Sequence, residues 1–347
     1  MPAELLGKSR EELRAYCESL GEPGYRGAQI YHALYAGRNF DFTQMTDLPL
    51  KLRARLASEA RISLPQVARR FTSADGAVRY LFAAAGEARP ASVEAVFMPS
   101  EDRQTICIST QAGCAVNCGF CLTARLGLIR NLSAGEILAQ VLLPLEEHKE
   151  RLAPQTNVVL MGQGEPLLNY DAMMAAVRIL LDAEAVGLAA KHVTLSTSGI
   201  VPGIEWLAAE AVRPKLAISL NASSDEQRDA LMPINRKYPL AKLIEACRRY
   251  PLRAWERLTF EYVLLGGVND APEDARRVAR LIANLRAKVN LIPWNPGELP
   301  YREPAAERVE EFQRVLAEKG WPVFVRTSRG RDVMAACGQL ALMEANS

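Results

Sequence analysis

The chain has 347 residues, 49% of them hydrophobic and 24% charged, enough to bury a sizeable core in roughly two domains of about 150 residues each. No apolar run reaches the roughly 20 residues of a membrane helix, the start Met-Pro-Ala-Glu-Leu-Leu lacks a signal-peptide core, and seven unevenly spaced cysteines do not form a disulfide framework, so a reducing, cytoplasmic setting is expected. A net charge of +2 neither announces nor excludes nucleic acid, because such binding needs a local basic surface.

Residues 1–64 read as a small helical unit. Ser9 and Glu12 offer a capping box for a helix over 10–20, the run Gly21-Glu22-Pro23-Gly24 breaks it, and further helices are expected over 25–35 and 48–60. Arg26, Arg38, Lys51, Arg53, Arg55 and Arg61 could grip a phosphate backbone, and their spacing fits a solvated helical face equally well. Over 65–100 the pattern turns to strands. Runs at 66–72 and 77–83 flank Ser73-Ala74-Asp75-Gly76, a hairpin signal, and 91–97 leads into the next strand, so this stretch extends a core sheet.

A strand over 105–109 precedes Cys114-Ala115-Val116-Asn117-Cys118-Gly119-Phe120-Cys121, three thiols on one short loop. A structural zinc site is closed by four protein ligands, and the nearest histidine, His148, stands at the far end of the next predicted helix. An iron–sulfur cube is normally held by four thiolates, so three leave one iron open to a substrate or cofactor. Catalytic zinc with three protein ligands and a water is the competing reading, and three packed core cysteines the plainest one. Strand-like and helix-like runs then alternate. The helices are expected over 134–148, opened by a Ser133/Glu136 box, and over 170–181 with Asn169 as cap, 203–211, 225–232, 240–250, 272–285 and 305–319. Between them lie strands over 157–161, 192–197, 215–220, 258–265, 289–293 and 323–327. Six βα units imply an α/β fold with a parallel sheet and right-handed crossovers, an incomplete barrel rather than the closed eight-stranded form. The run Gly162-Gln163-Gly164-Glu165-Pro166 ends the second core strand, where glycines admit a ligand close to the backbone and Glu165 could accept from an amino group; a Gly-Pro turn with a solvated Glu explains it as well. By spacing alone, Cys107 and Cys337 read as buried structural cysteines, as do Cys17 and Cys247.

The loop Cys-x3-Cys-x2-Cys, with Phe120 before the third cysteine, resembles the signature of the radical S-adenosylmethionine (SAM) enzymes. The runs Cys107–Cys114, Met161–Asn169, Leu195–Gly199, Ile292–Pro296 and Ala335–Leu340 resemble, in order and over nearly the whole chain, the motifs of the RlmN-type RNA adenine methyltransferases, close relatives of the Cfr type. The resemblance implies an incomplete (βα)6 radical SAM barrel over 101–347 with a C-terminal cysteine segment, a helical RNA-recognition domain over 1–64 and a β-extension over 65–100. It implies a 4Fe-4S cluster on Cys114, Cys118 and Cys121. It further implies two SAM molecules per turnover, with Gly164 and Glu165 at the SAM amino group, Ser196 at the carboxylate or ribose, Ser219, Leu220 and Asn221 on the ribose side, and Asn295 by the adenine. Asn221 departs from the histidine of many relatives, which puts any proton transfer there in doubt. By resemblance, Cys337 accepts a methyl group from a first SAM, a 5′-deoxyadenosyl radical takes a hydrogen from that methyl, and the carbon radical adds to an adenine ring. Cys107 would remove the ring proton and then form a disulfide with Cys337 to release the base, while Glu94 matches an acidic position that could take the proton instead. The implied substrates are adenosine 2503 of 23S rRNA and adenosine 37 of transfer RNA, methylated at carbon 2, with Cfr-type methylation of carbon 8 of the same rRNA base as the alternative. An unstacked base is required. The further expectations are an electron donor such as flavodoxin, a monomer, and no membrane partner. A zinc-dependent RNA-binding protein without radical chemistry is the rival from another class.

Overall fold

The computed structural model describes residues 2–84 and 91–340; the ends of the expected β-extension loop, 85–90, and of the expected core region, 341–347, lie outside the described residues. The N-terminal part comprises β1 (Ala3–Glu4), α1 (Arg10–Ser19), α2 (Tyr25–Tyr35), α3 (Leu50–Glu59) and β2 (Ala60–Arg61). The capping box of α1 forms: the Ser9 hydroxyl accepts from the Glu12 amide at 3.2 Å, and the Ser9 amide donates to the Glu12 carboxylate at 2.7 Å. Leu13, Ile30, Leu34, Leu52 and Leu56 on these helices are buried in the same hydrophobic cluster as the outer layer of the main sheet. The helices are therefore seated on that layer. Tyr31 fixes the contact by donating to Asp182 at 2.8 Å, and Arg38 pairs with Glu146 at 3.1 Å.

Strands β3 (Gln66–Thr72), β4 (Val78–Ala84), β5 (Ala91–Pro99) and β6 (Arg103–Ile108) run antiparallel, each to the next. After β6 come β7 (Gln111–Gly113) and β8 (Leu128–Asn131), an antiparallel pair that clasps the cysteine loop between them. The remaining elements alternate: α4 (Ala134–Glu147), β9 (Gln155–Leu160), α5 (Tyr170–Leu181), β10 (Val193–Thr197), α6 (Val201–Ala209), β11 (Lys215–Ser219), α7 (Asp225–Leu231), α8 (Leu240–Arg249), β12 (Leu258–Leu264), α9 (Pro272–Leu281), β13 (Ala287–Pro293), α10 (Ala306–Glu318) and β14 (Val323–Val325). They build one ten-stranded sheet in the order β14-β13-β12-β11-β10-β9-β6-β5-β4-β3, parallel from β14 to β6. Six βα units thus run from β6 to α10, and β14 adds a seventh parallel strand. The edges β14 and β3 are not paired with each other, so the barrel stays open on one side.

Two local expectations change. Asn169 precedes α5 without capping it; its side-chain amide donates to the Thr110 and Leu132 carbonyls, both at 2.8 Å, and so ties the cysteine-loop base to the barrel. The helix expected over 272–285 ends at Leu281, because Asn284 takes a left-handed conformation, φ 65°. The β1–β2 and β7–β8 pairs were not legible, since two to four residues carry no usable period.

Candidate functional site

The three loop thiols come together at the carboxyl end of the barrel. The Cys114 amide donates to the Gly127 carbonyl at 2.8 Å, the Cys121 amide to the Cys118 carbonyl at 3.2 Å, and the Gly119 amide to the Leu231 carbonyl at 2.9 Å, so the loop is held from three directions. Cys114, Cys118 and Cys121 line one wall of a cavity of about 160 Å³. Burial raises the Cys114 thiol to about 12, and burial together with the neighbouring Cys121 and Cys114 raises Cys118 well above its ordinary value. Thiols raised in this way, as Cys114 and Cys118 are, become thiolates beside strong positive charge, which a metal centre supplies. Among the described residues no three donors stand close enough to share a single ion. Three thiols on one short loop facing one cavity are the donor set that a cluster with one iron left open would take.

The opposite wall is made by strand ends. Gly164 has φ +96°, and a Cβ there would lie 2.6 Å from the Gln111 Cβ, so only glycine lets this turn pass against the cysteine-loop base. Glu165 is buried, and its carboxylate accepts from the Ser198 amide and hydroxyl, both at 2.7 Å, and from the Leu167 amide at 3.1 Å. Burial raises its pKa against those donors. Ser196 donates to Glu261 at 2.9 Å and lies 3.2 Å from the Ser219 hydroxyl. Asn221 has φ 56°, a conformation that asparagine tolerates; its side-chain oxygen accepts from the Val263 amide at 2.9 Å, which fixes the side chain at the cavity edge. Asn295 donates to the Cys337 carbonyl at 3.2 Å.

Cys337 lies on the segment after β14, and three contacts bind that segment to the cysteine loop and its surroundings. The Leu122 amide donates to the Gly338 carbonyl at 2.9 Å, the Thr123 hydroxyl to the Leu340 carbonyl at 2.6 Å, and Gln339 to the Pro296 carbonyl at 2.8 Å. The hairpin turn of the β-extension grips the same segment from the other side. Asp75 accepts from Arg329 at 2.8 Å and from the Gly330 amide at 3.0 Å, while Asp332 accepts from Ser73 at 2.6 Å and the Ala74 amide at 3.0 Å. Partial burial works against the Asp75 charge, yet the amides of Ala77 and Gly330 with Ser73 and Arg329 bring its pKa from 3.8 to about 2.

Cys337 also lines a second cavity, of about 430 Å³, which it shares with Cys107, Met98, Arg103, Arg326 and Arg329. Burial first, and then Glu261, raises the Cys337 thiol; burial first, and then the Cys337 charge, raises Cys107. Ten of the thirteen sequence-derived residues therefore line the first cavity: Cys114, Cys118, Cys121, Gly164, Glu165, Ser196, Ser219, Asn221, Asn295 and Cys337. Three do not. Cys107 lines only the second. Leu220 buries its side chain in the main core and presents backbone alone, its carbonyl accepting from Arg228 at 3.1 Å. Glu94 is fully buried, paired with Arg79 and accepting from Gln163 at 3.2 Å; it shares the sheet face of Cys107, two residues from the Val96 that Cys107 opposes, without lining either cavity. The Cys107–Cys337 disulfide is absent and both cysteines are free thiols. Cys107 is buried and Cys337 exposed, and the raised pKa values favour the thiol form of both.

Two residues escaped the sequence reading. Arg228 is fully buried under the cavity and donates to the carbonyls of Ser198, Leu220 and Ser219 at 2.6, 3.1 and 3.2 Å and to Asn235 at 3.0 Å, joining the ends of β10 and β11; burial lowers its pKa to about 10. Glu261 on β12 lines the cavity with one carboxylate oxygen bonded to Ser196 and the other without a hydrogen-bond partner, 4.0 Å from Arg326. Its signal was a carboxylate set between Phe260 and Tyr262 in a parallel strand, where an inward position must be polar for a reason.

Residues 108–282 match the family model described as the Radical SAM superfamily, and residues 3–62 match the ribosomal RNA large subunit methyltransferase N-terminal domain. The chain is 52% identical over 345 residues to a probable dual-specificity RNA methyltransferase RlmN of Koribacter versatilis (strain Ellin345), covering 94% of this chain and 98% of that one. It is 46% identical over 347 residues to the dual-specificity RNA methyltransferase RlmN of Anaeromyxobacter dehalogenans (strain 2CP-C), covering 97% and 91%. Its fold matches the crystal structure of a radical SAM methyltransferase from Sphaerobacter thermophilus with a TM-score of 0.91 at 43% identity, over 98% of this chain and 99% of that one.

Proposed function

The chain belongs to the RlmN family of radical SAM RNA methyltransferases, and from that footing we propose that it methylates carbon 2 of adenosine, at position 2503 of 23S rRNA and at position 37 of transfer RNA. The observation that supports this reading is the position of the Cys337 thiol, shared by the thiol-lined cavity and by the cavity that holds Cys107. A 4Fe-4S cluster on Cys114, Cys118 and Cys121, with SAM held by Gly164, Glu165, Ser196, Ser219, Asn221 and Asn295, supplies an electron and a 5′-deoxyadenosyl radical when bound.

Cys337, once deprotonated, takes a methyl group from a first SAM, its S–C bond forming as the sulfonium bond breaks and S-adenosylhomocysteine leaves. Its methyl then gives one hydrogen atom to the radical from a second SAM, and the carbon left on the Cys337 sulfur bonds to the ring carbon. The ring carbon then loses one electron, which a bound cluster would accept, and its proton, which passes to Cys107 or to Glu94. Cys107, as its thiolate once any proton it holds has been passed on, then attacks the Cys337 sulfur; a disulfide forms, the S–C bond breaks, and the carbon takes a proton to become the product methyl. Asn295 aims this chemistry by holding the Cys337 carbonyl. The enzyme works as a cytoplasmic monomer served by a reduced donor such as flavodoxin, and the N-terminal helices present the RNA. Among the described residues no helix is long and apolar enough to cross a membrane.

The test uses RNA whose adenosines carry deuterium at carbon 2 or at carbon 8. Loss of the carbon-2 label on methylation is expected, and loss of the carbon-8 label would overturn the assignment in favour of the Cfr-type reaction.

A further inference from the structure

At the amino ends of the strands the barrel holds a third space, which no cysteine lines. This chamber of about 370 Å³ is lined by Arg103, Lys191, His192, Lys215, Lys288 and Arg326, with threonine and amide side chains of the same strands between them and no carboxylate in its wall. Register explains the gathering. Lys215 opens β11, and Thr259 on β12 faces Lys288 on β13, so each strand turns one inward residue to the same depth.

The charges are unbalanced. Lys215 and Lys288 are half-buried, and among the described residues neither makes an ion pair. Burial lowers both pKa values, and the neighbouring Lys288 and Arg326 lower them further. The carboxylates nearest in effect are committed elsewhere: Glu256 lies 3.6 Å from Arg253, and Glu261 bonds Ser196 and lies 4.0 Å from Arg326. Lys288 has only the Phe324 ring, 5.6 Å from its ammonium. Cations that lose hydration without gaining a counter-charge are costly, and a concave basic wall concentrates anions. The N-terminal helices differ, since Arg38, Arg55 and Arg61 there are paired with Glu146, Glu59 and Glu4.

We propose that this chamber takes backbone phosphates of the RNA strand next to the target adenosine. The inference rests on the RNA-methyltransferase reading above. Arg103, Thr105, Val159, Met161 and Arg326 line both this chamber and the cavity shared by Cys107 and Cys337, so the two spaces adjoin. Both are lined by Arg103 on β6 and by Arg326 just after the unpaired edge strand β14, across a gap that no hydrogen-bonded strand pairing spans. A polymer can lie along that gap with its base turned inward and its phosphodiesters against ammonium and guanidinium groups.

The experiment measures binding of a fluorescent RNA hairpin with a loop adenosine to the cluster-loaded protein over a salt series. K215Q/K288Q is compared with wild type and with K242Q/K319Q, which removes two exposed lysines elsewhere. Expected is a roughly tenfold loss of affinity at low salt and a salt slope shallower by about 0.7 per lysine for K215Q/K288Q alone, with K215R/K288R binding as wild type does. Circular dichroism and iron content establish that each variant is folded. Equal behaviour of the two glutamine pairs, with wild type binding the hairpin, would overturn the phosphate site. Inorganic phosphate that binds wild type but not K215Q/K288Q, and leaves RNA affinity unchanged at constant ionic strength, would also overturn it, marking a small-ion pocket instead. If wild type neither binds nor methylates the hairpin, the functional reading fails first.

Discussion

At the carboxyl end of the barrel almost every polar side chain has a partner inside the protein, whereas at the amino end the basic side chains have almost none. Glu165 is held by Ser198, Ser196 by Glu261, Asn221 by a β12 amide, and Asn295 by the Cys337 carbonyl. Lys215, Lys288 and Arg103 face a shared void without a counter-charge. A site whose donors and acceptors are fixed in advance suits a small molecule of defined shape. A cluster of unpaired cations suits a charged polymer, which brings its own partners and is recognised through repeated phosphates.

The largest expected effects lie at the organised end. Cys118→Ala leaves two thiolates, too few to hold a cube, so iron and sulfide should disappear from the purified protein and RNA methylation with them; an active variant retaining full iron would remove Cys118 from the ligand set. Cys337→Ala should keep its iron and its capacity to cleave SAM yet methylate no RNA, as followed by transfer of labelled methyl groups. Arg228→Met should destabilise the fold by about 3 kcal/mol, since it strips one donor group from three buried carbonyls. Denaturant unfolding measures that loss. SAM affinity should fall with it while the salt slope of RNA binding stays unchanged, which separates the two ends of the barrel directly.

The smallest effect is expected at the clamp on the Cys337 segment. Asp75 has a depressed pKa, so its contribution is complete above its ordinary value of 3.8 and is lost as pH falls through about 2. Asp75→Asn should therefore slow Cys337 methylation a few-fold at neutral pH, read by peptide mass spectrometry, and flatten the acid side of the stability profile between pH 4 and 2. An unaltered rate with an unaltered acid limb would mean that the hairpin turn does not position the segment.

Much of this was legible in the chain because local rules reach that far. Helix α2 and helix α5 have the bounds that their breakers and periodicity dictate, strand β3 likewise, and the spacing of Cys114, Cys118 and Cys121 marked one loop as a candidate metal or cluster site. What stayed hidden depends on register and long-range contact. Asp75 and Arg329 are 254 residues apart, and nothing near either one names the other. Lys215 and Lys288 are ordinary lysines until parallel pairing sets them at one depth of the same barrel. Nothing in the sequence around Arg228 signals its burial, which the carbonyls at the ends of β10 and β11 explain. Leu220 shows the opposite limit: a motif position can serve through its backbone while its side chain belongs to the core.

The most direct measurement is peptide mass spectrometry of Cys337 in protein that carries its cluster and has met SAM, taken alongside methylation of RNA by the same sample. A methyl group on the Cys337 peptide that disappears as RNA is methylated is the predicted result. An unmodified Cys337 in iron-bearing protein that still methylates RNA would contradict the methyl-carrying role on which the proposed route depends.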